Sequence, residues 1–223
     1  ALGRVKRMLQ TRKVGHTGTL DPFATGLMIV LVGSATKAAP LFSGLTKRYR
    51  AVFSFGTETD TLDPTGEPTR NAPPPSIDAL REACGQWIGA VEQIPPEYSA
   101  VHIDGKRSYE LARSGTPVTP KPRSVEITEL TLLDYTDGEA TVEVACSAGT
   151  YIRALARDIG RMVGSAAHVK ELRRTTVGPF SVEEAVSSDR YDRQLLRLTN
   201  ALVRLDSVTA VAVSPALAAR VAH

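Results

Sequence analysis

The sequence predicts an α+β fold in which helices and loops flank a mixed, mostly antiparallel sheet. Strand and helix patterns alternate irregularly along the 223 residues, without the regular strand–helix–strand units of a parallel sheet. Two strand patterns, 124–135 and 140–147, are joined by Asp137 and Gly138, a pair that favours a tight hairpin turn. From about residue 187 the pattern changes to helix, strand and helix again, which predicts the start of a small C-terminal domain.

Helical spacing of apolar residues recurs in several segments. Residues 3–12 predict a short helix with its basic side chains outward. Ser76 is suited to cap the helix that follows it, because a serine side chain accepts a hydrogen bond from a free amide at a helix start. A short helix is predicted around 109–113, and Gly149 opens a longer one that runs to Val163.

Two further segments have strand patterns. Residues 26–32 are almost wholly apolar, which predicts a buried strand. Residues 48–56 alternate, and alternation places successive side chains on opposite faces of a sheet. Tyr49 is therefore expected on one face of this strand, with Arg48 and Arg50 on the other.

The composition excludes several classes of protein. With 42% hydrophobic and 23% charged residues and a mean hydropathy of −0.10, the chain has neither a disordered nor a membrane composition. Its longest apolar run, 27–32, is far shorter than the roughly 20 residues of a membrane span. Cys84 and Cys146 are too few for a disulfide scaffold, and their apolar neighbours predict buried free thiols.

Without an export signal we expect a cytoplasmic protein, and we expect the chain to be incomplete at both ends.

The positive charge is concentrated in two segments. Residues 1–50 carry nine basic side chains and a single carboxylate, Asp21. Residues 151–180 carry six basic and two acidic side chains. Clustered lysine and arginine side chains neutralise phosphates, so this pattern predicts binding to a polyanion such as RNA. A merely solvated surface is the alternative that charge alone leaves open.

The glycine-rich segment 15–26 could form a phosphate-binding loop, a metal site or part of a hydrolase site. It lacks the Gly-Lys-Ser/Thr ending of a nucleotide-binding P-loop. His16 and Asp21 have no third metal ligand near them in the sequence, and no Gly-x-Ser-x-Gly segment supports a hydrolase triad. These three chemistries are therefore disfavoured.

Asp21 is the strongest candidate for a reacting group. Its positive surroundings favour an ionised carboxylate, and such a group can act as nucleophile or base at a sugar or base carbon. The alternative is an aspartate that only turns the chain by accepting backbone hydrogen bonds. Tyr49 can stack on a flipped base or pack beneath a strand, and Arg153 can pair with a carboxylate in a cleft or cap a surface.

Five segments, in order along the chain, match the signature segments of one known family. They are GHTGTLDPFATG (15–26), KRYR (47–50), IPPEYSA (94–100), GTYIRALARDIG (149–160) and LRRTTVGPF (172–180). With these segments the chain resembles the TruB-type pseudouridine synthases, of the stand-alone bacterial kind, over about residues 3–185.

The resemblance implies an isomerase that converts uridine 55 in the T loop of tRNA to pseudouridine, with no metal or organic cofactor. It implies that Asp21 is the essential carboxylate, that Tyr49 stacks on the flipped base, and that Arg153 forms a salt bridge with Asp21. His16 would lie against the RNA where the target nucleotide leaves its stack. Further pocket or RNA contacts are expected from Thr19, Tyr151, Asp63, Lys47, Arg48, Arg50, Arg173 and Arg174.

The resemblance also implies a domain organisation and a partner. Residues 1–186 would form the pseudouridine synthase domain without the family's first strand, and 187–223 a linker helix and the beginning of an RNA-binding domain. The partner would be the tRNA T stem-loop, bound by a monomer without a guide RNA. His102 departs from the family pattern, which has a lysine there. A non-catalytic tRNA-binding or RNA-chaperone protein on the same fold is the alternative function.

Overall fold

The computed structural model describes residues 2–99, 102–103, 106–107, 120–187 and 195–209, with only the backbone at 102–103 and 106–107. The helices in chain order are α1 (Leu2–Met8), α2 (Ala39–Ser43), α3 (Ile77–Gln86), α4 (Ile152–Met162) and α5 (Leu198–Leu202), with 3-10 turns at Gly33–Ala38 and Val182–Glu184. The strands are β1 (Val14–His16), β2 (Thr25–Gly26), β3 (Val30–Val32), β4 (Lys47–Phe55), β5 (Thr57–Thr59), β6 (Pro68–Asn71), β7 (Gly89–Gln93), β8 (His102–Ile103), β9 (Lys106–Arg107), β10 (Arg123–Thr136), β11 (Glu139–Cys146), β12 (Ala167–Val177) and β13 (Phe180–Ser181).

A mixed sheet forms the centre of the described structure. Its strands follow the order β13-β12-β4-β11-β10-β7, and each neighbouring pair in this order is antiparallel. The short strand β2 adds a parallel pairing with β12. The predicted α+β class with a mostly antiparallel sheet is therefore confirmed.

Strand β4 lies inside the sheet between β11 and β12 and alternates as predicted. Tyr49 and every second residue after it are buried against α3 and α4, whereas Arg48 and Arg50 are exposed on the opposite face. The hairpin of β10 and β11 is also confirmed. Asp137 and Gly138 both have positive φ angles, 52° and 78°, as a tight turn that follows the strand twist requires.

Two helices cover the inner face of the sheet. Ser76 caps α3 as predicted, since its hydroxyl accepts a hydrogen bond from the amide of Ala79 at 3.3 Å. Helix α4 buries its apolar residues in the same core, together with one charged side chain, Arg153. A guanidinium at this depth requires hydrogen-bond partners inside the protein.

The predicted strand over 26–32 is wrong in part, because the chain forms β2 and β3 with a break between them. Gly26 has a φ of 104°, and a Cβ there would lie 2.2 Å from the carbonyl oxygen of Arg174 on β12. Only a glycine permits this approach of two backbones, and the chain turns away after it. The N-terminal helix also ends earlier than predicted, at Met8.

A second apolar cluster joins the end of the sheet to the C-terminal part of the chain. Phe42 of α2, Phe180 of β13 and Ala201 of α5 belong to it. The predicted helix over 109–113 and most of the predicted C-terminal domain lie outside the described residues. Among the described helices, none has the length and apolar character needed to cross a membrane.

Both cysteines are buried free thiols, as predicted, and burial raises the pKa of each from 9.0 to about 11. In the unfolded chain the thiols lose their protons at a lower pH than in the native chain. The two thiols therefore lower the free energy of unfolding as the pH rises from about 9 to 11. Urea denaturation at about pH 8 and about pH 10.5 measures this fall. The double variant Cys84→Ala, Cys146→Ala should lose less stability over the same interval; an equal loss would contradict the assignment.

Candidate active site

Asp21 lies in the loop between β1 and β2, above the inner face of the sheet. Its side chain is 31% exposed, and its backbone carbonyl accepts a hydrogen bond from the amide of Ala24 at 3.0 Å. The loop begins at Thr17, whose amide donates to the carbonyl of Ile29 at 3.2 Å. The carboxylate is therefore accessible to solvent, and backbone hydrogen bonds fix the loop that carries it.

Arg153 binds the Asp21 carboxylate in a two-pronged ion pair. Its Nε donates to Oδ2 at 3.0 Å and its Nη2 donates to Oδ1 at 3.1 Å. The Arg153 side chain is only 4% exposed. A guanidinium bound side-on to a carboxylate fixes its orientation as well as its charge, so the predicted ion pair is present with a defined geometry.

The remaining donors of Arg153 are all occupied by the surrounding loops. Nη1 donates to the carbonyl of Thr61 at 2.6 Å and to Oδ2 of Asp63 at 3.4 Å, and Nη2 also donates to the carbonyl of Tyr98 at 2.9 Å. Together with the two bonds to Asp21, these contacts match the five N–H groups of a guanidinium. Arg153 is thus held from three sides and holds Asp21 in turn.

Asp63 helps to hold the Arg153 guanidinium in place. It is 5% exposed, and its Oδ1 accepts hydrogen bonds from the hydroxyl of Thr61 at 2.8 Å and from the amide and hydroxyl of Thr65 at 3.0 and 2.6 Å. Its other oxygen faces Arg153. Asp63 therefore organises a tight turn around itself and contacts the guanidinium rather than the cavity.

A cavity of about 240 Å³ lies beside Asp21, between its loop, β4 and the start of α4. This volume is slightly below the range of about 300–1,000 Å³ that is typical of small-molecule sites. Its lining residues are Thr17, Gly18, Thr19, Leu20, Asp21, Ser43, Lys47, Tyr49, Gly149, Thr150, Tyr151, Ile152, Arg153, Leu172 and Arg174.

Tyr49 contributes a nearly buried ring to this cavity, with 8% of the residue exposed. Burial raises the pKa of the Tyr49 hydroxyl above 10.0, against the opposing effect of the nearby Arg174 cation. The hydroxyl is therefore protonated at neutral pH. The strand alternation that was visible in the sequence directs this ring to the site face of the sheet.

Tyr151 also lines the cavity, and Gln93 fixes its backbone. The fully buried amide of Gln93 accepts from the Tyr151 amide at 2.8 Å and donates to the Tyr151 carbonyl at 3.0 Å. The guanidinium of Arg123 lies 5.8 Å from the centre of the Tyr151 ring. Sequence reasoning missed Gln93, although its position two residues after Val91 on β7 places it on the inward face.

Lys47 and Arg174, both predicted as RNA contacts, are buried beneath the Asp21 loop. The Lys47 ammonium donates to the carbonyls of Ser43 at 3.1 Å and Leu45 at 2.5 Å. Burial lowers the pKa of Lys47, and repulsion from Arg174 adds to this effect. In this structure both cations therefore donate hydrogen bonds to backbone carbonyls of the protein itself.

The structure does not bring Arg48, Arg50 and Arg173 to the cavity. Arg48 and Arg50 lie on the face of β4 opposite Tyr49, and Arg173 is exposed opposite Arg50 in the register of β12 and β4. Arg48 pairs with Glu129 at 2.6 Å. That these three residues contact RNA stays a prediction. Such contacts would lie on the face of the sheet opposite the cavity.

His16 and Thr19 lie at the two ends of the turn before Asp21. His16 ends β1, and its buried Nδ1 has no hydrogen-bond partner in the described part of the chain. Thr19 is exposed at the cavity. No group of three or more His, Cys, Asp or Glu side chains among the described residues could hold a metal ion.

Solved structures share this fold. A Cbf5-Nop10-Gar1 complex contains a chain 28% identical to this one with a TM-score of 0.61; the match covers 81% of this chain and 45% of that one. An archaeal box H/ACA sRNP Nop10-Cbf5 complex matches with 25% identity and a TM-score of 0.60, over 84% of this chain and 46% of that one. By its fold, the chain belongs with the pseudouridine synthases.

Family models make the assignment specific. The model "TruB family pseudouridylate synthase (N terminal domain)" matches residues 6–152, and "tRNA pseudouridylate synthase B C-terminal domain" matches 153–209. The chain belongs to the TruB family of pseudouridylate synthases, and it is therefore an isomerase. The two models meet at the start of α4, and a domain boundary near residue 187 stays a prediction.

Curated relatives agree with the family models. A protein of Bordetella avium named tRNA pseudouridine synthase B is 50% identical over 85% of this chain and 79% of its own length. A protein of Rhodopseudomonas palustris with the same name is 41% identical over 99% of this chain and 64% of its own length.

Proposed function

We propose that this chain converts uridine 55 in the T loop of tRNA to pseudouridine, with Asp21 as the essential carboxylate. The single observation that carries the proposal is the Asp21 carboxylate, fixed by Arg153 beside a cavity that suits one base. The names of the relatives from Bordetella avium and Rhodopseudomonas palustris support tRNA as the substrate.

The reaction needs few catalytic groups, and the site provides them. The bond from the ribose C1′ to N1 breaks, the uracil turns, and a bond from C1′ to C5 forms; the proton lost from C5 is balanced by one gained at N1. Attack on the ribose, attack on the base and removal of a sugar proton all require an ionised carboxylate. No second carboxylate is needed to activate water, unlike in a glycoside hydrolase.

The recessed cavity requires the target uridine to leave the RNA stack. Enzymes that act on a base reach it by flipping the nucleotide into a pocket, where aromatic side chains stack on it. Tyr49 and Tyr151 line the cavity and provide such surfaces. His16, at the end of β1, would contact the RNA where the flipped nucleotide leaves its stack.

The exposed basic residues near the N-terminus give the tRNA backbone a surface to bind. They flank the strand that leads to the Asp21 loop and comprise Arg4, Lys6, Arg7, Arg12 and Lys13. Phosphate contacts of this kind supply affinity and position without reading sequence. We propose further that the enzyme acts on the T stem-loop as a monomer in the cytoplasm, without a guide RNA.

Tritium release tests the proposed function directly. A T-loop tRNA transcript labelled at C5 of uridine releases its tritium only when the glycosidic bond moves to C5. We expect release by the full-length wild-type protein. Tight tRNA binding without any release would contradict the isomerase and support a non-catalytic RNA-binding protein instead.

The variant Tyr49→Phe separates stacking from proton transfer. It keeps the aromatic ring, so we expect its single-turnover rate to stay within about tenfold of wild type, whereas Tyr49→Leu should lose a further 10- to 100-fold, about the value of one stacked base. A loss well beyond tenfold for Tyr49→Phe would instead assign proton transfer to the hydroxyl. Ile29→Val, outside the cavity lining, provides a neutral control.

A further inference from the structure

Arg174 is a buried cation without a buried counter-charge. It is 2% exposed, and no carboxylate in the described part of the chain forms an ion pair with it. Its guanidinium instead donates to three backbone carbonyls: Leu27 at 2.7 Å, Gly18 at 3.0 Å and Thr19 at 3.4 Å. Burying an unpaired charge is unfavourable, so these backbone acceptors are what make its position tenable.

The three carbonyls lie at both ends of the loop that carries Asp21. Gly18 and Thr19 precede Asp21 by a few residues, and Leu27 follows it after the loop returns to the sheet. The backbone of Arg174 adds a fourth bond, because its carbonyl accepts from the Leu27 amide at 2.8 Å. A single residue of β12 therefore closes the loop from residue 18 to residue 27.

Two glycines allow the Asp21 loop to pack closely against Arg174. A Cβ at Gly18 would lie 3.4 Å from Nη1 of Arg174, and a Cβ at Gly26 would meet its backbone at 2.2 Å. Both glycines thus let the loop approach Arg174 closely. The ends of a flexible loop are costly to hold together, and a forked side chain with five donors can bind both ends at once.

We propose that Arg174 is a positioning residue that closes the Asp21 loop and so presents the carboxylate to Arg153 and to the cavity. This inference rests on the proposed function, because it assigns Asp21 the reacting role. It replaces the expectation that Arg174 binds the tRNA backbone, because the residue is only 2% exposed and its guanidinium is bonded to carbonyls of the loop. It acts on Asp21 through the carbonyls of Gly18 and Thr19, and it also lies beside the Tyr49 hydroxyl at the cavity wall.

The test compares Arg174→Met and Arg174→Lys with Leu80→Ala. Leu80 lies fully buried on α3, outside the cavity lining, so its truncation destabilises the fold without touching the loop. We expect Arg174→Met to lower the single-turnover rate at saturating tRNA by about 100-fold, with the Kd for tRNA within about threefold. Arg174→Lys should recover part of the rate, since one ammonium cannot bond both ends of the loop.

A chemical rescue and an exchange measurement make the test specific. Millimolar guanidinium should restore part of the rate of Arg174→Ala, whereas the same concentration of urea should not. Amide hydrogen exchange at Ala24 and Leu27 should quicken in Arg174→Met and remain slow in Leu80→Ala. The exchange measurement does not depend on enzyme activity. If the wild-type protein releases no tritium, the proposed function is contradicted, but exchange at Ala24 and Leu27 still tests whether Arg174 closes the loop.

Several outcomes would overturn the inference. An unchanged rate with a weakened Kd in Arg174→Met would make Arg174 an RNA contact. Equal rate losses in Arg174→Met and Leu80→Ala, at equal melting temperatures, would reduce its role to general stability. Unchanged exchange at Ala24 and Leu27 would show that the loop is closed without it.

Discussion

Replacing Asp21 by asparagine should abolish tritium release while leaving the Kd for tRNA within about tenfold, because phosphate contacts supply most of the affinity. Asparagine has nearly the same shape but no ionisable oxygen, so it can act neither as nucleophile nor as base. It also turns an acceptor of Arg153 into a donor, which breaks one of the two bonds of 3.0 and 3.1 Å. We expect a single-turnover rate at least about 1,000-fold below wild type.

Asp78→Asn is the matched control for this variant. Asp78 is exposed in the first turn of α3, pairs with Arg81 at 3.5 Å and is not among the residues that line the cavity. Its replacement should leave the rate unchanged. Turnover by Asp21→Asn within tenfold of wild type would remove Asp21 from the reaction and with it the proposed mechanism.

Much of the fold follows from local patterns in the sequence. The alternation of β4, the turn of Asp137 and Gly138, and the cap at Ser76 each depend on neighbouring residues alone. The break after Gly26 could not be predicted this way, because it depends on the backbone of Arg174, far along the chain. Long-range contact, and not local propensity, decides the path there.

The charge pattern predicted a polyanion surface but not the depth of each cation. Alternation does place Arg48 and Arg50 opposite Tyr49. It cannot show that Lys47 and Arg174 are buried and bonded to backbone carbonyls, since a buried cation and a surface cation have the same sequence signal. Gln93 was missed for a related reason: its partner is the backbone of Tyr151, 58 residues away.

Two carboxylates share the guanidinium of Arg153. Asp21 and Asp63 both face Arg153, and Asp63 is further held by Thr61 and Thr65. Asp63 is therefore the fixed partner, and Asp21 is the partner that remains open to the cavity. Arg153 therefore links the Asp63 turn to Asp21, the carboxylate that we propose to react, and we expect substitutions at Arg153 to have the largest effect after those at Asp21.

The variant Arg153→Lys should lower the single-turnover rate by about 100-fold or more, with tRNA binding nearly unchanged. A lysine keeps the charge, but its one nitrogen cannot bind both oxygens of Asp21 and also reach Thr61 and Tyr98. Losing one or two charge-assisted hydrogen bonds of about 1.5–3 kcal/mol each accounts for that factor, at about 1.4 kcal/mol per tenfold.

Arg157→Lys, one turn further along α4, is the matched control. Arg157 is also a largely buried arginine, but its side chain binds Asp158 and the carbonyl of Ile94, away from the cavity lining. Its conservative replacement should change the rate by less than about threefold, since no contact to Asp21 is altered. Equal losses in both variants would mean that packing of α4 sets the rate. A loss confined to Arg153→Lys would mean that the reaction depends on the two-pronged geometry of the ion pair, because the charge is the same in both.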